Sequence, residues 1–113
     1  MAVPVELTTQ NFEELVLQNQ TQPVLVDFWA VWCVPCQMVT PIVEAVGEEM
    51  GDSIAIGKVH IEDYPELAER YNIMSIPTLL IFYKGEIVKQ FVGVQEREVL
   101  ITALRDVING NPA

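Results

Sequence analysis

The chain has 113 residues, 50% of them hydrophobic and 19% charged, which is the composition of one globular domain over residues 1–113 rather than of a disordered segment. Its 16 acidic and 6 basic residues give a net charge of −10, spread along the chain, which argues against nucleic acid and anionic membrane surfaces as partners. With two cysteines, no basic targeting segment and no apolar run of about 20 residues, neither a disulfide-stapled secreted scaffold nor a membrane span is expected, but a soluble, cytoplasmic monomer.

The predicted elements alternate. Val3–Leu7 reads as a short strand, kept near a sheet edge by Pro4. Thr8 and Thr9 are cap residues for a helix to about Asn19 that buries Phe12, Leu15 and Val16. Val24–Ala30 is too apolar for a solvated face, so it is a central strand covered on both sides. A helix from about Val34 to Met50 carries Pro35 in its first turn and a kinking Pro41 in its interior. Ile54–Ile61 is a strand and Glu62–Tyr71 a short helix. Thr78–Tyr83 and Glu86–Val92 form a hairpin about the tight turn Lys84–Gly85. A last helix, about Gln95–Asn109, shows Val99, Leu100, Ala103, Leu104, Val107 and Ile108 at helical spacing, ended by Gly110 and a frayed tail, Asn109–Ala113. The order βαβαβαββα implies an α/β fold: a mixed five-stranded sheet with helices on both faces.

Cys33-Val34-Pro35-Cys36 stands where the central strand feeds a helix. A CxxC pair serves as half of a metal or cluster site, as a redox dithiol, or as chance apolar residues. Two Cys and one His, His60, fall short of the four ligands of a structural zinc, leaving only a metal or cluster shared between two chains. The spacing straight after a strand in a βαβ pattern matches the redox use. At the helix start, unpaired N–H groups and the positive end of the dipole favour a Cys33 thiolate, making Cys33 the exposed nucleophile. Cys36, one turn in and more buried, is the resolving thiol. Pro35 stiffens the turn between them. His60 has no second ligand or nucleophile near it in sequence and is read as structural.

The residues Phe28-Trp29-Ala30-Val31-Trp32-Cys33-Val34-Pro35-Cys36 resemble the active-site segment of the thioredoxins. Ile76-Pro77-Thr78 before an apolar strand resembles their cis-proline loop, Lys84-Gly85-Glu86 their strand turn, and Val92-Gly93 their last loop. The likeness covers nearly the whole chain in order. Two departures stand out: Val34 where thioredoxins usually carry Gly, and Gln37 where they usually carry Lys. The second removes a positive charge that would favour the Cys33 thiolate.

The resemblance gives other residues expected roles. Asp27, costly in an apolar strand unless paired or protonated, is implied to be a buried acid that takes the Cys36 proton through water. Lys58 is implied to lie near it and tune its acidity; its alternative is a solvent-facing edge lysine. The Ile76–Pro77 bond is implied to be cis, with Ile76 backbone groups pairing with an extended substrate and the Pro77 ring against the disulfide. Trp32 offers a flat apolar contact surface, Val34 and Pro35 flank it, and Gly93 allows close approach of a partner backbone.

The function expected is that of a disulfide reductase acting on protein disulfides through a Cys33 mixed disulfide resolved by Cys36. A separate thioredoxin reductase would return electrons. No flavin or nicotinamide motif is present, so no cofactor or metal of its own is expected. The alternatives are an oxidase or isomerase of the same fold, a redox-independent binding module using the surface around Trp32, Ile76 and Gly93, and a dimer-bridging iron–sulfur site.

Overall fold

The computed structural model describes residues 2–110. The elements are β1 (Val5–Glu6), a π-helical turn (Glu13–Leu17), β2 (Val24–Trp29), α1 (Val34–Met50), β3 (Ala55–His60), α2 (Pro65–Arg70), β4 (Thr78–Tyr83), β5 (Glu86–Val92) and α3 (Arg97–Ile108). The strands make one five-stranded sheet in the order β1-β3-β2-β4-β5. β1 and β2 pair parallel to β3, while β4 runs antiparallel to both β2 and β5. The mixed sheet expected from the sequence is therefore present, with β2 at its centre.

Strand alternation divides the core in two. Leu25, Ile56, Leu79 and Ile81 face α1 and α3 through Val39, Val43, Val46, Leu100, Ile101 and Leu104. On the other face Val24, Val26, Phe28, Val59, Leu80 and Phe82 pack with Leu7, Phe12, Val16 and Leu67. Phe12, Tyr71 and Phe82 meet ring to ring there, with centroids 5.3–5.7 Å apart. Full burial of each such side chain contributes roughly 1.5–3 kcal/mol, so a strand buried on both faces makes β2 the anchor of the molecule. Lys84 and Gly85 both take positive φ, 53° and 82°, as the tightest hairpin turns require.

The structure corrects several element boundaries. The strand expected over Val3–Leu7 is two residues long. The expected helix to Asn19 is a single widened turn, closed by a Gln18 N–H that donates to the Glu13 carbonyl five residues back. The wider winding carries Phe12 and Val16 into the core and turns Leu15 out to solvent. Thr8 does cap, its hydroxyl accepting from the Gln10 and Asn11 N–H groups at 3.2 Å. α2 starts at Pro65 because His60 carbonyl oxygen takes the Asp63 and Tyr64 N–H groups in a preceding turn. In α3 the buried side is Leu100, Ile101, Ala103 and Leu104; Val99 and Ile108 lie at its exposed edge. Of the frayed tail, residues 111–113 lie outside the described residues.

Candidate active site

β2 ends at Trp29, and the chain turns at once: Cys33 N–H donates to the Ala30 carbonyl at 3.2 Å. Cys33 is extended, with φ −90° and ψ 106°, and the next residue opens α1. Its sulfur therefore sits at the N-cap, where it accepts the Cys36 N–H at 3.2 Å. An acceptor there meets one of the helix's unpaired donors and the positive end of its dipole, which favours negative charge on Cys33 Sγ. Cys33 and Cys36 are joined as a disulfide, with Cα atoms 5.2 Å apart. Pro35 occupies the first turn, where no intrahelical N–H is needed.

One expectation fails here. Cys33 is not exposed in the disulfide state: it is 4% accessible, against 2% for Cys36. Ala30 and both cysteines form a small buried cluster, closed by Trp29, Ile61 and Ile76. The asymmetry between the sulfurs lies in the cap hydrogen bond, not in exposure.

Around the buried disulfide the surface is apolar and open. Trp32 is 64% and Val34 65% accessible, and Val31, Met38, Met74 and Val92 are exposed as well. The Ile76–Pro77 peptide bond is cis. Its loop is fastened on both sides: Thr78 hydroxyl donates to the Ser75 carbonyl at 2.6 Å, and Gly93 N–H donates to the Pro77 carbonyl at 2.8 Å. Gly93 has φ 89°, a conformation that L side chains rarely adopt. Gln37 donates from its side-chain amide to the Val31 carbonyl at 3.1 Å, tying the loop that carries Trp32 to the first turn of α1.

Asp27 is fully buried on β2, facing α1 like Leu25 before it. Neither carboxyl oxygen has a hydrogen-bond partner among the described residues. Burial pushes its pKa from 3.8 to about 6, and Lys58, its register partner on β3, acts in the opposite direction. Asp27 and Lys58 line a cavity of about 190 Å³ with Thr40, Val43 and Glu44 of α1 and the segment Val3–Pro4. That is room for several waters. Thr40 hydroxyl donates to the Cys36 carbonyl at 3.4 Å, so the helix wall of this cavity is the turn that carries the resolving cysteine.

His60, read from the sequence as structural, lies beside Trp29. Its Nδ1 lies 2.8 Å from Asp63 Oδ2, and its ring centroid lies 4.8 Å from that of Trp29. Lys58 Nζ lies over the same indole at 4.5 Å. The signal was available: Lys58 and His60 are two apart on a strand, as are Asp27 and Trp29, so each pair shares a face. What the sequence lacked was the register between the two strands.

A thioredoxin family model matches residues 3–106. The chain belongs to the thioredoxin family. It is 42% identical over 102 residues to thioredoxin from Alicyclobacillus acidocaldarius, covering 90% of this chain and 95% of that protein. It is 45% identical over 105 residues to thioredoxin from Buchnera aphidicola, covering 93% and 96%. It also matches, at 39% identity over 94% of its own length, 23% of a bifunctional thioredoxin reductase/thioredoxin from Mycobacterium leprae. Family membership together with a CxxC disulfide at a helix start makes this protein a dithiol–disulfide oxidoreductase of the thioredoxin type. No helix of the described residues is long and apolar enough to cross a membrane.

Proposed function

We propose that the protein works as a general reductant of protein disulfides, with Cys33 as nucleophile, Cys36 as resolving thiol and Asp27 as acceptor of the Cys36 proton. The observation that carries this reading is the Cys36 N–H donated to Cys33 Sγ at the start of α1. In the dithiol form it stabilises the Cys33 thiolate and leaves Cys36 as the thiol.

Cys33 thiolate attacks one sulfur of a substrate disulfide. The S–S bond breaks, a mixed disulfide forms, and the departing thiolate takes a proton from solvent. Cys36 then passes its proton to the Asp27 carboxylate, and its thiolate attacks Cys33 Sγ. The second substrate sulfur leaves as a thiolate and takes up a proton, Asp27 gives its own proton back to solvent, and the Cys33–Cys36 disulfide remains. Two electrons and two protons have moved to the substrate. With a pKa of about 6, Asp27 is mostly ionised at neutral pH yet far more basic than an ordinary carboxylate, which suits a proton acceptor. Lys58 tunes that basicity through its charge.

Trp32, Val34, Pro35, Ile76, Pro77 and Gly93 form the substrate face. Trp32, Val34 and Pro35 are exposed and Ile76 and Gly93 half-buried around the disulfide, with the buried Pro77 beneath them, which supports this. A separate thioredoxin reductase returns the electrons; the fused reductase and thioredoxin in the Mycobacterium leprae relative supports such a partner. The protein acts as a cytoplasmic monomer.

The test is dithiothreitol-driven reduction of insulin disulfides, followed by trapping. Wild type should accelerate reduction, and Cys33→Ser should abolish it. Cys36→Ser should accumulate mixed disulfides that Cys33→Ser never forms. Faster alkylation of Cys36 than of Cys33 in the reduced protein would overturn the assignment. Net oxidation of dithiol substrates in a glutathione buffer that keeps insulin reduced would instead favour the oxidase reading.

A further inference from the structure

On the α1 face of the sheet, Asp27 and Trp29 of β2 stand in register with Lys58 and His60 of β3. The four side chains form a two-by-two block. Within it, Lys58 ammonium lies over the Trp29 ring, while its cross-strand neighbour Asp27 has no hydrogen bond to either oxygen. His60 packs on the same indole, tilted by 36°. Asp63 fixes its Nδ1 at 2.8 Å, and Glu62 carboxylate lies 3.8 Å from its Nε2, which is buried without a hydrogen bond.

We propose that His60 is a positioning residue for the disulfide reaction: through the Trp29 indole it sets whether the Lys58 ammonium rests on that ring or turns to the Asp27 carboxylate. The proposal rests on the reading of Asp27 as acceptor of the Cys36 proton.

The charges around the block give the direction. Asp63 and Glu62 follow β3 beside His60. Glu6 of β1 shares a surface cleft with Trp29, Lys58, His60 and Asp63, and the exposed Glu44 of α1 lines the open cavity that reaches Lys58 and Asp27. While His60 is neutral, Asp63 and Glu62 draw Lys58 toward the Trp29 end of the block. A proton on His60 offsets one of those charges and places a second cation on one aromatic ring. Both effects drive Lys58 off the indole, and the buried carboxyl is the acceptor within the block. Lys58 then favours the ionised form of Asp27, the form able to take a proton from Cys36.

A pH titration of the oxidised protein by NMR tests this, with His60→Phe as the comparison. Phenylalanine keeps a flat ring against Trp29 but carries no proton and no bond to Asp63. In wild type, the Lys58 Hε signals, displaced by the indole ring current, should return toward ordinary positions as the His60 ring protons titrate. The Asp27 carboxyl ¹³C midpoint should lie about 0.3 pH unit or more below that of His60→Phe, a twofold difference in proton affinity. Lys58 signals that stay fixed through the His60 titration, or equal Asp27 midpoints, overturn the proposal. If His60→Phe does not fold, the wild-type Lys58 trace decides alone. These readouts follow charge and position, not turnover, so they can fail while Asp27 keeps its role. Failure of that role shows instead as undiminished mixed-disulfide resolution in Asp27→Asn.

Discussion

Asp27 ties stability to pH. Its folded-state pKa of about 6 exceeds the ordinary 3.8, so the native state holds the proton more tightly than the unfolded chain. The stability this lends is fully present below about 3.8 and is lost as pH rises to about 6. Two units of pKa correspond to about 3 kcal/mol at most. Asp27→Asn should therefore match wild type near pH 3.5 and gain stability over that window, by up to about 3 kcal/mol at pH 7, in denaturant melts of the oxidised protein. It should also slow resolution of mixed disulfides. A loss of stability at pH 7 would mean that the carboxylate is paired. Val34 makes a second prediction. Its exposed, β-branched side chain stands beside the nucleophile on the substrate face. Val34→Gly should raise kcat/KM on insulin a few-fold, about 1 kcal/mol in barrier, and leave reduction of a small aromatic disulfide nearly unchanged. Its stability cost, up to about 1 kcal/mol, leaves the domain folded. Equal changes on both substrates would show that Val34 acts on thiolate chemistry instead. At this scale the sequence was informative wherever a residue contradicted its neighbours, as Asp27 does in an apolar strand. It was silent wherever the contact is distant: Ile76 closes over Cys33 from 43 positions away in the numbering, which is why the exposure of that cysteine was misjudged.

Strands β4 and β5 and helix α1 have the ends read from the sequence, because Pro35, Gly85 and the limits of the apolar runs are local signals. The first helix was not legible. Its apolar spacing fits an α-helix, but packing of Phe12 and Val16 against Phe82 and their neighbours selects a wider turn, and tertiary packing overrides propensity there. β1 pairs with β3 over only two residues, and Leu7 just beyond it packs where Gly57 leaves no side chain. A Cβ at Gly57 would run into Leu7 Cδ1 and Cγ. Gly57→Ala should accordingly cost about 1–3 kcal/mol by overpacking, read from urea midpoints at unchanged m-value. A trimmed side chain should relieve it, so Leu7→Ala with Gly57→Ala should cost less than the sum of the single changes. Simple additivity would place the clash elsewhere.

Across the molecule, stability should be graded from the centre of the sheet outward. β2 and β4 are buried on both faces, whereas β1 is a two-residue edge whose flank is held by Leu7 N–H on the Lys58 carbonyl. Native-state hydrogen exchange should find β2 and β4 amides exchanging only through global unfolding, and β1 amides at least about 100-fold faster through local opening. Comparable protection in β1 would contradict this grading. The antiparallel pairing of β2 with β4 has a practical reach. It brings the end of β2, the start of β4 and the end of β5 to one pole of the sheet, where the cysteines, Pro77 and Gly93 lie. The Lys84–Gly85 turn lies at the opposite pole, a strand of six residues away, or roughly 20 Å. A bead, electrode or fusion partner attached through a cysteine replacing Lys84 would hold every molecule with its dithiol pointing outward, so a tethered layer should turn over protein disulfides as freely as the protein in solution.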